Sequence, residues 1–408
     1  MTGALQGCRV LELSHFAGAV AGRILADLGA EVIKIEPPGG ERARFEEPTT
    51  QLLSGERLSF AWLAFNIGKR SIVVDLESEV GRQDFIALAK SADVVITDFQ
   101  RMKVAENDRL AALARQANPS LVWTEIWPYG RGAPHQDYPA GDLTLQAMGA
   151  HLYLNGDVDR PPVRIGVPVA LSQGGAEAAS AALMAYYHRL KSGEGQRVDI
   201  SIQECVTWTL LNTSMTTQLL GFDEMRGGAI RKERANKYFT RLVWQCRDGF
   251  VHFAPVGGGG GAAREKSYRS LLAWMAEDGV VHPLLTARDW NGSDANSISQ
   301  ADYDAVAEII ERFMAGKSVA ELTQRAVRER ILLAPVSSIP DVLNNPHLRE
   351  REFFQCLADA DRGTWFEYPA SWARMTRTAL EPLRPAPRLD LDGAALRAEI
   401  RQLEEAAL

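Results

Sequence analysis

The feature that most constrains the fold is an alternation of short apolar runs with helical stretches through the first third of the chain. CRVLELS (8–14) reads as a strand, AGAVAGRILADLG (17–29) as a helix, and AEVIKIE (30–36) as a second strand ended by PPGG. RSIVVDL (70–76), a helical stretch over 79–92, DVVITDF (93–99), a helix over 108–117 and LVWTEI (121–126) continue the pattern. Parallel strands cannot be joined by a tight turn, so each needs a crossover, and a helix is the usual one. The spacing therefore predicts an α/β fold with a Rossmann-like large domain.

The first strand-to-helix turn narrows what that domain binds. A dinucleotide fold puts GxGxxG there, so that the backbone can close on a pyrophosphate. This chain offers only Gly18 and Gly22, as GxxxG. The pair reads as close helix packing, and no nicotinamide cofactor is expected.

Further on, QGGAEAASAALMAYYHRL (173–190) is rich in small helix formers, KSGEGQ turns the chain, and RVDISI (197–202) re-enters a sheet. From 226 to 330 the pattern changes to one strand, GFVHFAPV (249–256), a glycine run and amphipathic helices. That stretch is expected to be a smaller α+β domain inserted into the large one, which takes residues 1–225 and 331–408. Within the tail, PLRPAPRLDLD reads as an extended, proline-rich segment.

With 408 residues, 46% of them hydrophobic, the chain can bury two cores. A net charge of -7 gives no electrostatic footprint for nucleic acid. Cys8, Cys205, Cys246 and Cys356 are too scattered for a zinc or redox motif and read as free thiols. The seven histidines include no HExxH, so neither a metal nor another cofactor is expected. Without a leader or an apolar run of about 18 residues, the expected location is the cytoplasm, away from membranes.

One stretch raises a question of chemistry. GVPVALSQGG (166–175) runs from a loop into a helix and puts Leu171 where the helix begins. Helix starts favour anions, because free N–H groups and the helix dipole point outward there. Leucine brings neither charge nor nucleophile. The adjacent Ser172 reads as the helix N-cap.

Six stretches, in order over most of the chain, resemble the class III CoA-transferases. They are RVLELSHFAGAVAGRILADLGAEVIKIEPPGGERAR (9–44), NIGKRSIVVDL (66–76), ADVVITDF (92–99), GDLTLQAMGA (141–150), RLKSGEGQRVDISIQE (189–204) and LLAPVSSIPDVLNNPHLREREFF (332–354). The resemblance implies two chains interlocked like links, and a site for a CoA thioester, taken as substrate, in the cleft between the domains. It also implies CoA-binding roles for His15 and Ala17 in the first turn, Lys69 and Arg70 in GKRS, Phe99 on the adenine side, and the neighbouring Asp98 and Arg101. Two departures stand out: Asp98 replaces the family's common asparagine, and QRM replaces Arg-Pro-Gly, leaving Arg101 to supply the charge. Gly257, Gly258, Gly259, Gly260 and Gly261 resemble the family's mobile loop, a lid over the reaction intermediate, but follow the small-domain strand instead of preceding it.

In this family a helix-start aspartate attacks the acyl-CoA and carries CoA as an enzyme thioester. The motif has glycine five residues before it and four after. Gly166 and Gly175 keep both spacings, and Leu171 stands in the aspartate's place. Asp142, which matches a family acidic position and also reads as a cap for the helix beginning at Leu143, is the candidate substitute. Three functions follow. The chain can be the subunit without the nucleophile in a heteromeric transferase, paired with an aspartate-bearing relative in an interlocked heterodimer or higher oligomer, as in the two-subunit benzylsuccinate CoA-transferases acting on succinyl-CoA. It can be a homodimeric transferase or isomerase using Asp142. Or it can bind CoA thioesters without catalysis.

Overall fold

A computed structural model describes residues 3–52, 54–232, 238–255, 261–291, 298–370, 372–381 and 384–406. The chain divides into two compact units, one of residues 1–152, 164–222 and 346–408, the other of 153–163 and 223–345. The first opens with β1 (Arg9–Leu13), α1 (Ala17–Asp27) and β2 (Glu31–Glu36), then a hairpin of β3 (Thr49–Gln51) and β4 (Arg57–Ser59), α2 (Phe60–Phe65) and β5 (Arg70–Val73). Next come α3 (Glu79–Lys90), β6 (Val94–Asp98), α4 (Val104–Ala117), β7 (Val122–Trp127), α5 (Asp142–Met148), the short α6 (His151–Leu154), α7 (Val169–Ser192), β8 (Arg197–Ser201), α8 (Ile202–Trp208) and α9 (Leu211–Leu220).

Six of these strands form one parallel sheet in the order β5-β2-β1-β6-β7-β8. Counted along the sheet's own strands, the order runs outward from β1 in one direction and reverses between β1 and β6, the doubly wound pattern. Alternate residues of each strand enter separate cores. Val10, Val32, Val94 and Val122 pack with α1, α7 and α8, whereas Leu11, Ile33, Val95 and Trp123 pack with α3 and α4. Covering on both faces explains why the strand sequences are nearly continuous apolar runs.

Close approach decides two glycines. A Cβ on Gly175 would lie 2.4 Å from the Ala17 carbonyl oxygen, so α7 and α1 touch backbone to backbone. Gly22 has another cause: its Cβ would fall 1.9 Å from a carboxylate oxygen of Glu12. The expected helix packing is thus made at Gly175, while Gly22 makes room for a buried charge on β1.

The second unit holds more strand than its sequence suggests. β9 (Ile230–Lys232) pairs with β10 (Phe239–Arg241). β11 (Val243–Gln245) and β12 (Phe250–Phe253) precede α10 (Gly261–Glu277), α11 (Pro283–Thr286), α12 (Gln300–Ala315), α13 (Val319–Glu329), β13 (Leu333–Pro335) and α14 (Ile339–Leu343). β12 pairs antiparallel with β11 and β13, Phe253 opposite Leu333. Residues 331–345, expected with the large domain, group here because β13 completes this sheet. Trp244, Phe253, Trp274 and Phe313 lie in its core. The chain then returns to the first unit with α15 (Pro346–Glu350), the hairpin of β14 (Phe354–Asp359) and β15 (Thr364–Pro369), and α16 (Gly393–Ala406), whose Leu396 and Ile400 join the α3–α4 core. Among the described residues no helix is long and apolar enough to cross a membrane.

Candidate active site

Open parallel sheets bind ligands beyond the C-terminal ends of their strands, where the strand order reverses. Here that is the space after β1 and β6, and the structure brings His15, Ala17, Asp98, Phe99 and Arg101 to it. Asp98 ends β6 and is buried. One of its oxygens accepts the backbone N–H of His15 at 2.9 Å and of Gly18 at 3.2 Å. The other accepts the Arg101 N–H at 3.1 Å. The residue at the start of α1 caps nothing with its side chain, so a carboxylate from the neighbouring strand satisfies those amides. Burial pushes the Asp98 carboxyl up, against the pull of the Gly18 and His15 amides and of Lys34 and His15.

His15 is buried between two acids, its Nδ1 3.2 Å from Glu41 and its Nε2 3.2 Å from Glu46. Burial alone would lower its pKa; the Glu41 hydrogen bond and the charges of Glu46 and Asp98 outweigh burial and raise it. A raised folded-state value stabilises the fold fully below the unfolded value, near 6.5, and that contribution is lost as pH rises through the folded value. As pH rises from below 6.5 through the higher folded value, the wild-type chain should therefore lose stability that a His15→Gln variant does not lose. Urea unfolding across that range measures it, and parallel profiles would refute the charged clamp.

Beneath this turn lies a fully buried triad. Glu12 of β1 sits 2.7 Å from Lys34 Nζ and 2.7 Å from Lys69 Nζ. Lys34 also donates to the Ser14 carbonyl at 2.5 Å, and Lys69 to the Ala19 carbonyl at 3.0 Å. Burial, aided by the charge of Lys34, pushes Lys69 down to about 8, while Glu12 and Lys34 are held in their charged forms. Lys69, expected to bind CoA, has its ammonium facing a carboxylate inside the domain. Arg70 stands at the N-terminal edge of the sheet, paired with Glu31 at 2.5 Å and Glu399 at 3.0 Å. That edge is away from the strand ends at which parallel sheets take ligands.

The start of α7 abuts the same region through Gly175 and Ala17. α7 begins at Val169 with Pro168 as N-cap, two residues earlier than the sequence suggests. Ser172 lies inside the first turn and donates its hydroxyl to the Pro168 carbonyl at 2.9 Å, so it is not the cap. Leu171 is 6% exposed and packs in the core that contains Ala17 and Leu145. Its backbone N–H is directed at Asp142 Oδ1, 3.3 Å away, and the Ala170 N–H at the same oxygen, 2.9 Å away. Gln146 donates to the other oxygen at 2.5 Å. Asp142 is the first residue of α5, which Gly141 caps, and its carboxylate caps α7. Replacing Asp142 with alanine should cost about 1–2 kcal/mol of stability, and with asparagine less than half of that; thermal unfolding distinguishes them.

Phe99 lines a cavity of about 570 Å³ with Met102, Lys103, Trp127 and Tyr138. Gly257 to Gly260 lie outside the described residues, and Gly261 opens α10 with φ +51°. No group of three or more His, Cys, Asp or Glu among the described residues is arranged to hold a metal. Sequence reasoning missed Glu12, Lys34, Glu41 and Glu46. The signal for the first two was present: charges inside the apolar runs VLEL and VIKIE, strands that must be buried on both faces.

A family model described as CoA-transferase family III matches residues 5–393. The chain is 30% identical to succinyl-CoA:(R)-benzylsuccinate CoA-transferase subunit BbsE of Thauera aromatica, over 93% of this chain and 90% of that one. It is 30% identical to the succinate–glutarate CoA-transferase of Agrobacterium fabrum, over 99% and 97%. A crystal structure of a CaiB/BaiF family protein from Brucella suis superposes with a TM-score of 0.82 at 25% identity, covering 98% of this chain and 100% of that one. Its mixed α/β architecture agrees with the central parallel sheet described above, and the chain belongs to CoA-transferase family III.

Proposed function

We propose that this chain is the subunit without the nucleophile in a two-chain CoA-transferase that moves CoA from succinyl-CoA to a carboxylic acid such as (R)-benzylsuccinate. The reacting aspartate is carried by a related partner chain. The observation that carries the reading is the start of α7, where Leu171 is packed into the core and offers no group that could attack a thioester. Asp142, the acid that caps the start of α7, spends one oxygen on two backbone amides and the other on Gln146. A nucleophile needs its lone pairs aimed at the substrate, and misplacement by an ångström forfeits much of the rate. That observation weighs against the homodimeric reading with Asp142 as nucleophile.

Surface chemistry also favours a partner chain. Tyr187 and Leu190 of α7, Trp208 of α8 and Leu219 of α9 are each more than 60% exposed. A run of large apolar side chains left in water on consecutive helices marks a surface that another chain covers. Interlocking with a similar chain would cover it without changing the fold. The CoA-facing part of this subunit is the β1–α1 turn with Asp98, Phe99 and Arg101.

The test is to assay CoA exchange from succinyl-CoA to (R)-benzylsuccinate with the chain alone and with a co-expressed relative that bears the aspartate. Turnover is expected only with the partner. Turnover by the isolated chain, or a hydroxylamine-sensitive adduct on it, would sink the proposal. Binding of CoA without turnover under either condition would leave the non-catalytic reading in its place.

A further inference from the structure

The turn after β6 carries a charge pair that the proposed function does not use. Arg101 Nε lies 3.4 Å from Glu41 Oε2. Both atoms are buried, and neither makes a hydrogen bond. A guanidinium and a carboxylate usually meet at about 2.7–2.9 Å with a well-aligned N–H. Here the charges attract while donor and acceptor both stay unspent, which is a costly state for buried groups.

Glu41 does not depend on this contact. Its other oxygen lies 3.2 Å from His15 Nδ1 and accepts the Arg42 N–H at 3.0 Å. Burial works against its charge, and the His15 hydrogen bond with Lys34 and Arg101 outweighs burial to hold the carboxyl below its usual range. Arg101 has a fixed base as well, since its backbone N–H is held by Asp98. Phe99, Met102 and Lys103 of the same turn line the cavity of about 570 Å³, whereas the Arg101 guanidinium lies beside Glu41.

We infer that Glu41 holds Arg101 in reserve, and that a phosphate-bearing ligand in the adjacent cavity draws the guanidinium away from it. Arg101 is then the phosphate ligand and Glu41 its positioning residue. The inference rests on the CoA reading above: CoA brings phosphates for the cation and a flat ring for an aromatic wall. Glu41 makes the empty site self-neutralising, and its charge competes with the phosphate for Arg101, so it sets the affinity.

Calorimetric titration of the full chain with CoA, 3′-dephospho-CoA and pantetheine tests this. Arg101→Met should weaken CoA binding by roughly tenfold or more, as loss of a charge-assisted hydrogen bond does. Glu41→Gln preserves shape and an acceptor for His15 while removing the competing charge, and should tighten CoA binding by roughly threefold to tenfold. In the double variant the gain should vanish, because its recipient is gone. Pantetheine, which has no phosphate, should bind all four proteins alike. Persistence of the Arg101 effect with 3′-dephospho-CoA assigns the contact to the pyrophosphate, and its loss assigns it to the 3′-phosphate. CoA binding that neither substitution changes would overturn the inference and leave the CoA reading intact. Equal weakening of pantetheine would show a merely structural role. Failure of the wild-type chain to bind CoA would overturn both.

Discussion

Leu171→Asp is expected to destabilise the chain by about 3–5 kcal/mol near neutral pH. Two costs add. The first is loss of an aliphatic side chain that is 6% exposed in the α1–α7 core, on the order of 2–3 kcal/mol. The second is a carboxylate placed in that core, beside the Asp142 carboxylate that already accepts the Ala170 and Leu171 amides. A second anion finds those donors taken and meets a like charge. The new carboxyl should therefore have a folded pKa above its unfolded value, near 4. Its penalty is absent below that value and grows as pH rises through the folded pKa. Leu171→Met, nearly equal in volume, should cost less than about 1.5 kcal/mol at any pH. Urea unfolding at pH 4 and pH 7 separates these outcomes. Wild-type stability at pH 7 in the aspartate variant would mean that the start of α7 still has room for a nucleophile.

Glu12→Gln should cost a similar amount, about 3–5 kcal/mol, although it removes no volume. Glu12 is the anion between two fully buried ammonium groups, 2.7 Å from each. With a neutral amide in its place, Lys34 and Lys69 face each other uncompensated, and breaking a buried pair leaves the surviving charge to bear its full desolvation. Adding Lys69→Met should restore much of the loss, since it deletes the cation whose pKa burial pushes down. The deficit should also shrink at pH 9–10, where a buried lysine with a depressed pKa can shed its proton. A deficit unaffected by pH or by the second substitution would show that shape, not charge, is what Glu12 provides.

Both variants bear on how much the sequence disclosed. The parallel sheet was legible because its strands are short apolar runs separated by helical spacing; five of its six strands fall within the expected stretches, and β7 runs one residue past its own. The absence of an acid at position 171 was legible too, since Gly166 and Gly175 set the register that puts Leu171 there. What separates Lys69 from Arg70 was not legible. Adjacent cations look alike in a sequence, yet one is enclosed with Glu12 and the other pairs with Glu31 at the opposite edge of the sheet. Asp142 was visible as an acid of interest, but its capping of α7, 28 residues onward, was not.

The sequence by itself determined the elements that rest on local pattern: strand, helix, the glycines that permit close approach, and the absence of an acid at one helix start. Tertiary structure alone decided which charges meet. The start of α1 takes its carboxylate from β6 and the start of α7 takes its own from α5, and His15 finds two acids in the segment after β2. Periodicity is a property of neighbouring residues, whereas charge pairing in a low-dielectric interior depends on distances that exist only once the chain has closed on itself.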